Sequence, residues 1–169
     1  MDRDSSEAVL RRLCLGSSIV GAHWPTGFGL VLARLYRSDS SNVADPIDYN
    51  HLILTIETRW HVYTTRPDTF PRDDTDLPCY SLPDSAALIA NLANKKIIYA
   101  GLGLDYPHLE LEFESGEVIF VNGRNEIYES WNIETINMTS QGAWQLIAMP
   151  GGETALFAPT DLQQAGDLE

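Results

Sequence analysis

Histidine and cysteine are the side chains best suited to metal binding and nucleophilic catalysis, and the chain has four of the first and two of the second. No histidine stands in an HxH or HExxH arrangement, and neither cysteine belongs to a CxxC pair. Cys14 follows Leu13 and precedes Leu15, where a thiol behaves as a small buried hydrophobe. The sequence therefore predicts no metal site, no cofactor and no catalytic residue.

Paired carboxylates are the next candidates for chemistry. Glu126 and Glu129 flank Tyr128 and could in principle act as general acid and base. Residues 124–136 are predicted to form a strand, on which these two glutamates point to opposite faces. That geometry argues against a shared catalytic site.

A second acidic group lies in a long segment, 66–83, that holds four prolines and shows no periodicity. Asp73, Asp74 and Asp76, named the aspartate loop here, superficially resemble a cation-binding loop. They lack the glycine and the distal glutamate of an EF-hand. We interpret them as a solvated acidic loop, which could also bind a basic protein.

The third acidic group is a strand in which apolar and acidic residues alternate strictly. Successive strand side chains point to opposite faces, so the apolar residues face a core and the acidic ones face away from it. The apolar members are Leu109, Leu111 and Phe113. The acidic members, named the glutamate ladder here, are Glu110, Glu112 and Glu114. Such a row of like charges needs water or a basic partner.

The net charge of −13 is distributed unevenly along the chain. Residues 1–64 carry six Lys/Arg and seven Asp/Glu, whereas residues 65–169 carry five Lys/Arg and seventeen Asp/Glu. An acidic field of this kind repels nucleic acid and anionic lipid, and it steers a basic protein towards itself. The alternative interpretation is that the charge serves solubility alone.

Two helices are predicted. The first has Ser6 as its N-cap and ends at Gly16, the usual glycine position after a helix. The second has Asp84 or Ser85 as its N-cap and continues through Leu92.

Strands are predicted where β-branched and aromatic residues follow the period of two. Residues 108–121 are predicted to form a hairpin, and Asn122-Gly123 a second two-residue hairpin turn. The other predicted strands are Ile19–Ala22, Phe28–Tyr36, 52–57, His61–Thr64, Ile97–Ala100, 124–136, Ala143–Met149 and Thr154–Phe157, with a polar loop over Ser38–Asn50. The predicted fold class is α+β, a largely antiparallel sheet with two helices.

The two halves of the chain follow a similar plan. Leu10–Val20 aligns with Leu88–Ile98 at an offset of 78, so that a helix, its end and a strand start coincide. His51–Glu57 aligns with His108–Glu114 at an offset of 57. The comparison predicts two diverged helix-plus-strands units, and a chance match of common patterns is the alternative.

The length of 169 residues fits one domain. We predict a single domain, 1–169, in which the units 5–64 and 84–121 share one core with C-terminal strands over 124–158. The apolar runs are too short to span a bilayer. Residues 1–7 are polar and acidic, unlike a signal peptide, so a cytoplasmic location is expected.

The C-terminal part of the chain resembles known proteins. Tyr128–Ile133 contains Glu-Ser-Trp, Trp144–Met149 follows, and Pro150-Gly151-Gly152-Glu153 leads into a last strand. With the preceding hairpin, residues 85–158 resemble small uncharacterised bacterial proteins, some of which are similar to immunity proteins of polymorphic or contact-dependent toxin systems. The resemblance implies a non-enzymatic inhibitor of a cognate toxin, and it provides no catalytic residues to carry over.

Many such toxins are basic because their substrates are nucleic acids, and an acidic inhibitor fits them by charge complementarity. We therefore expect a basic toxin as partner, bound through the glutamate ladder and the aspartate loop. Trp60, predicted to lie exposed at a turn, and Tyr106 are the candidate apolar hot spots. Neither direct nucleic-acid binding nor membrane binding is expected.

Two other classes of function stay open on the sequence. One is a structural or homodimeric assembly module that pairs through an edge strand; the oligomeric state is not determined by the sequence. The other is an enzyme or small-ligand binder, with a pocket in which His23, His61 or Asp76 converge.

Overall fold

The computed structural model describes residues 3–24, 28–34, 51–136 and 143–158. Within them the chain forms two α-helices and ten β-strands, so the predicted α+β class is confirmed. The elements are α1 (Arg3–Cys14), β1 (Ser17–His23), β2 (Phe28–Arg34), β3 (His51–Ile56), β4 (Trp60–Tyr63), α2 (Leu82–Leu92), β5 (Ile97–Leu102), β6 (Leu109–Phe113), β7 (Val118–Val121), β8 (Trp131–Thr135), β9 (Gln145–Ala148) and β10 (Thr154–Phe157). The predicted loop Ser38–Asn50 and the end of the strand predicted for Phe28–Tyr36 lie outside the described residues.

The strands form two antiparallel sheets. Six strands run in the order β1-β2-β3-β8-β9-β10, and four run in the order β4-β7-β6-β5. Helix α1 packs against β5 and β10, and α2 packs against β1. Apolar side chains of both sheets and both helices make one hydrophobic cluster, in which Trp131 and Phe113 are the largest fully buried members. No helix of the described residues is long and apolar enough to cross a membrane.

Apolar alternation decides which strand faces enter this core. Leu52, Leu54 and Ile56 are buried in β3, while the residues between them are half-buried. Leu109 and Leu111 are likewise fully buried in β6, as their spacing predicts. The alternation in the sequence therefore predicted correctly which face of each strand packs on the core.

The helix ends agree with the sequence in one case and differ in two. Gly16 follows α1 with φ 78°, the left-handed conformation predicted for it. Ser6 is not the N-cap, because α1 begins at Arg3; its hydroxyl is buried and hydrogen-bonds the Thr154 hydroxyl at 2.6 Å. Ser81 rather than Asp84 or Ser85 caps α2, since Pro83 is accommodated in the first helical turn.

Strands β4 and β8 each lie in a different sheet from the strand that precedes them in the chain. After residues 57–59, the chain from β3 enters the four-stranded sheet as β4, beside β7. After residues 122–130, named the connector here, the chain from β7 enters the six-stranded sheet as β8, beside β3. Glu57 N–H donates to the carbonyl of Ser130, and Asn122 N–H donates to the carbonyl of Arg59, both at 3.0 Å. These reciprocal bonds join the two sheets at one corner.

This exchange gives the two halves of the chain the same order of elements. Each half runs as a helix, a three-stranded meander and a crossing strand, which are α1-β1-β2-β3-β4 and α2-β5-β6-β7-β8. Trp60 opens the crossing strand β4 and pairs with Val121, the last residue of β7. Trp131 opens β8 and pairs with Ile56, the last residue of β3. The two tryptophans therefore occupy equivalent positions.

A second pair of reciprocal contacts joins the halves where each helix meets its first strand. Gly16 and Asn94 both have positive φ, 78° and 64°. Gly16 N–H donates to the carbonyl of Ile97 at 2.9 Å, and Asn94 N–H donates to the carbonyl of Ile19 at 3.0 Å. A β-bulge follows Ile19 in β1 and Ile97 in β5. All these equivalences keep the offset of 78 found in the sequence.

The second predicted alignment, at an offset of 57, is wrong. It matched β3 with β6, but β3 is the third strand of its meander and β6 is the second. The counterpart of β6 is β2: Leu30 of β2 pairs with Ala22, and Leu111 of β6 pairs with Ala100. Every strand with one buried face alternates in the same way, so alternation cannot tell the second strand from the third.

The hairpin turn predicted at Asn122-Gly123 is also wrong, because β7 and β8 belong to different sheets. Asn122 is buried, and its side-chain amide donates to Asp74 at 2.8 Å. A Cβ on Gly123 would lie 2.1 Å from the carbonyl oxygen of Pro107. The glycine is needed for a close approach of two backbones rather than for a turn.

Candidate functional site

Residues 64–81, named the strap here, lie over the outer face of the four-stranded sheet. The Phe70 ring stacks on Phe120 of β7 with centroids 4.9 Å apart. Tyr80 bonds His61 of β4, and the Arg66 guanidinium lies 4.7 Å from the ring centroid of Tyr99 in β5. The strap therefore covers part of a sheet face that the sequence analysis had left exposed to solvent.

The glutamate ladder lies under and beside this strap. Glu110 is only 7% exposed and pairs with Arg66, whose other nitrogen lies 3.4 Å from Glu112. Burial raises the pKa of Glu110, and the charge of Arg66 opposes that rise. Glu114 is exposed and accepts the backbone N–H of Lys96 at 3.3 Å. The expectation of a solvent-facing ladder is wrong at Glu110, whose basic partner comes from the same chain.

Replacing Arg66 by alanine is expected to make stability fall more steeply with rising pH. A buried carboxyl with a raised pKa binds its proton more tightly in the folded state. Its contribution to the free energy of unfolding therefore falls as pH rises from 4.5 through the folded-state pKa of Glu110. Without Arg66 that fall extends to higher pH. Since Arg66 is 39% exposed, solvent screening limits the added loss to about 1 kcal/mol.

Urea denaturation from pH 4.5 to neutrality measures this effect. The matched control is the double variant Arg66→Ala/Glu110→Gln, in which no carboxyl is buried without its cation. We expect the double variant to lose the additional pH dependence. Parallel stability profiles for the wild-type protein and Arg66→Ala would contradict the role assigned to this pair.

The aspartate loop is a short 3-10 turn, Asp74–Asp76, fastened to the body of the protein. Asp73 caps the turn by accepting the N–H of Thr75 at 2.9 Å, and hydrogen bonds from Thr75 lower the pKa of Asp73. Asp74 accepts the side-chain amide of Asn122 at 2.8 Å. Asp76 is exposed. The prediction that these carboxylates bind a partner stays a prediction, but Asp74 already has a partner within the chain.

The two predicted hot spots have different surroundings. Trp60 is 6% exposed and stacks on Phe28 with centroids 4.7 Å apart, so the exposed position predicted for it is wrong. Its place at the start of a crossing strand puts it in the core. Tyr106 is half-buried, and the Arg124 guanidinium lies 5.0 Å from its ring centroid.

The connector presents an apolar surface that the sequence did not reveal. Ile127 is 85% exposed and Tyr128 is 51% exposed, although both were predicted to lie in a strand. The Asn125 side chain accepts the N–H groups of Ile127 and Tyr128 at 2.9 and 3.1 Å. The Asn125 carbonyl accepts the N–H of Gly151 at 2.9 Å. Hydrogen bonds therefore fix the backbone that carries these two apolar side chains.

Carboxylates border these apolar side chains. Ile127 and Tyr128 line a shallow groove of about 490 Å³ together with Met149, Pro150, Glu57 and Glu129. Glu126, next in sequence to Ile127, is exposed too. No Lys or Arg of the described residues forms an ion pair with these three glutamates. We name this surface, Glu57, Glu126, Ile127, Tyr128, Glu129, Met149 and Pro150, the connector patch.

The connector patch arises at a place where the two halves differ in length. Three residues join β3 to β4, whereas the nine residues of the connector join β7 to β8. The only signal in the sequence was the order Glu-Ile-Tyr-Glu over 126–129, in which apolar residues stand between carboxylates. That order also fits an amphipathic strand, so strand pairing was needed to interpret it.

Among the described residues no three His, Cys, Asp or Glu side chains are placed to hold a metal ion. Burial raises the pKa of the Cys14 thiol to about 12, which makes it a poor nucleophile. His61 hydrogen-bonds Tyr80, and burial lowers its pKa. His108 accepts the N–H of Gly123 at 2.9 Å, and burial lowers its pKa too.

The fold and these surfaces define an α+β protein whose antiparallel sheets exchange strands around one core, with an acid-bordered apolar patch on its surface. Comparison of the chain with protein-family models, with curated proteins and with solved structures gives no match.

Proposed function

We propose that the chain is a non-enzymatic binding protein that neutralises a basic protein toxin, in the manner of an immunity protein. The observation that carries this proposal is the connector patch, where exposed Ile127 and Tyr128 lie among carboxylates that form no ion pair with any Lys or Arg of the described residues. An exposed apolar surface with a polar rim is typical of protein-binding sites. The net charge of −13 favours a basic partner.

The apolar and acidic members of the connector patch serve different steps of binding. Ile127 and Tyr128 would be desolvated against the partner and would provide most of the affinity, as aromatic and large aliphatic anchors do. Glu57, Glu126 and Glu129 would steer a basic partner towards the patch and raise the association rate, an effect that falls with salt. The buried part of the glutamate ladder is less suited to either step, because Arg66 already neutralises Glu110.

The resemblance of the C-terminal part to immunity proteins supports the toxin as the partner class. Tyr128 and Glu129 belong to both the resembling stretch and the connector patch. A toxin acting on nucleic acid has a basic active site, which an acidic surface can cover. The proposed partner is thus a basic, nucleic-acid-directed toxin domain.

Co-expression with the product of the neighbouring gene tests this function. We expect a complex that forms at low salt and weakens as salt rises, and we expect the neighbour alone to be toxic to cells. A neighbour without toxic activity, or no complex at low salt, would sink the proposal. A stable homodimer with no basic partner in sedimentation experiments would favour an assembly module instead.

The double variant Ile127→Ala/Tyr128→Ala is expected to weaken binding to the basic partner about 100-fold, because each anchor contributes more than 1 kcal/mol. Ile98→Ala is the matched control, since Ile98 is 56% exposed on β5 and does not line the connector patch. Surface plasmon resonance gives both rate constants. Equal affinities for the two variants would place the site elsewhere.

Variants that neutralise carboxylates need a control of their own, because any such change makes the net charge of the protein less negative. Glu57→Gln/Glu126→Gln/Glu129→Gln should slow association about tenfold at low salt. Asp4→Asn/Asp68→Asn/Asp84→Asn removes the same charge from exposed positions outside the connector patch and outside the other predicted binding residues. A similar slowing in both triple variants would mean that net charge, and not the patch, guides the partner.

A further inference from the structure

A cleft of about 640 Å³ opens between the strap and the loop that joins β5 to β6. Three aromatic residues, Phe70, Tyr106 and Phe120, are among its lining residues. The Phe70 and Phe120 rings are stacked nearly parallel, at an interplanar angle of 7°. The cleft shares no lining residue with the connector patch, so it is a separate feature of the surface.

The lining of this cleft is less acidic than the rest of the chain, with two arginines, Arg72 and Arg124, against two carboxylates, Asp105 and Glu110. Residues 65–169 hold only five Lys/Arg among seventeen Asp/Glu. Two of the five, Arg72 and Arg124, line the cleft, and a third, Arg66, pairs with the lining residue Glu110. Three of the five Lys/Arg in this part of the chain therefore lie at or beside one cleft.

Neither lining arginine forms a direct ion pair with a carboxylate of the described residues, although Arg124 is close enough to Asp73 to lower the pKa of that carboxyl. Arg124 instead lies over the Tyr106 ring, 5.0 Å from its centroid. Among the carboxylates that line the cleft, Glu110 is bound by Arg66, and Asp105 is exposed.

A neutral hydrogen-bond donor completes the lining. His108 lines the cleft and accepts the N–H of Gly123 at Nδ1, which leaves Nε2 to carry the ring proton. The ring lies 5.2 Å from Phe120 between centroids, so it belongs to the aromatic wall. Guanidinium groups beside aromatic faces are suited to planar ligands that carry a carboxylate or a phosphate.

We propose that this cleft binds a small aromatic anion, with its ring against Phe70 and Tyr106 and its anionic group at Arg72 and Arg124. Stacking on the aromatic wall supplies the affinity for the ring. Charge-assisted hydrogen bonds from the two guanidinium groups select the anion. The site goes beyond the binding of a toxin, since it uses other residues and the opposite charge.

Titration calorimetry with phenyl phosphate and with benzoate tests the proposal on the purified full chain. We expect at least one of the two to bind with a Kd of about 1 mM or tighter, the range of well-placed fragments. Which of them binds more tightly distinguishes a phosphate from a carboxylate as the preferred group. Failure of both to bind would overturn the proposal.

Two further probes separate the ring from the charge. Benzamide has the ring without the charge, and inorganic phosphate has the charge without the ring. Each is expected to bind about tenfold more weakly than the better aromatic anion, because each lacks one of the two contacts. Equal affinity for inorganic phosphate and phenyl phosphate would mean that the aromatic wall plays no part, and would overturn the assignment.

Substitutions then locate the site. Arg72→Gln and Arg124→Gln should each weaken binding about tenfold, the effect of losing one charge-assisted hydrogen bond. Lys96→Gln removes the same charge outside the cleft and should leave affinity unchanged. Unchanged thermal unfolding of the exposed arginine variants would show that they fold. Wild-type affinity in both arginine variants would contradict the site.

Discussion

Replacing Trp131 by alanine is expected to lower the free energy of unfolding by about 4 kcal/mol, the usual loss for a fully buried tryptophan. Its ring lies in the hydrophobic cluster shared by both sheets, at the start of the strand that crosses between them. Its indole N–H also donates to the carbonyl of Pro107 at 2.7 Å. The substitution leaves a cavity and an unsatisfied buried acceptor together.

Guanidinium denaturation monitored by circular dichroism measures this loss. Trp131→Phe is the matched variant, because it keeps an aromatic ring while removing the N–H donor and part of the ring volume. We expect it to cost about 1–2 kcal/mol, the range for one buried hydrogen bond left unmade. A loss below about 1 kcal/mol for Trp131→Ala would show that the crossing strand is not anchored by this ring.

Replacing Gly123 by alanine should destabilise the protein by about 3 kcal/mol, the upper part of the range for overpacking. The added Cβ would lie 2.1 Å from the carbonyl oxygen of Pro107 and 2.5 Å from the backbone nitrogen of His108. Both neighbours are backbone atoms, so no side chain can rotate away. The chain must move at the place where the connector leaves β7.

Gly21→Ala is the control for this prediction. Its Cβ would meet Val31 at 3.7 Å, an ordinary contact, and Gly21 lies in a strand as Gly123 lies next to one. We expect Gly21→Ala to change stability by less than about 1 kcal/mol. If the two alanine variants were equally stable, the close approach at Pro107 would not constrain the connector.

Both predictions converge on Pro107, where β8 and the connector meet the loop before β6. The carbonyl of Pro107 accepts the Trp131 indole and touches the backbone of Gly123. This segment fixes where the connector begins, and the connector patch lies a few residues further on. Because the patch is held through backbone contacts, a loss of binding in either variant has to be separated from a loss of folding.

Local chemistry allowed part of this structure to be predicted. The alternation in β3 and β6 identified their buried faces, since one face of each strand packs on the core. Gly16 was identified as a helix end because a left-handed residue there favours glycine. The offset of 78 was found because a helix, its end and a strand start recur in order.

Pairings between distant strands could not be predicted in the same way. The exchange of β4 and β8 between the sheets depends on contacts such as Trp60 with Val121, which no local pattern encodes. Asn122-Gly123 has the composition of a hairpin turn, yet its glycine serves a tertiary contact. Strand order is a global property, and equivalent alternation in many strands leaves it undetermined.

The candidate site shows the same division between local and tertiary information. The acidic character of residues 65–169 follows from the sequence, because charge is counted residue by residue. Which carboxylates remain available was decided by the strap, which brings Arg66 onto Glu110 and covers a face that the strand pattern left open. The sequence by itself determined the α+β class, the core faces and the sign of the surface charge. Only the tertiary structure decided that Ile127 and Tyr128 are exposed beside glutamates without an ion pair among the described residues. The physical reason is that β7 and β8 lie in different sheets, so the nine residues between them form a connection on the surface and not a strand.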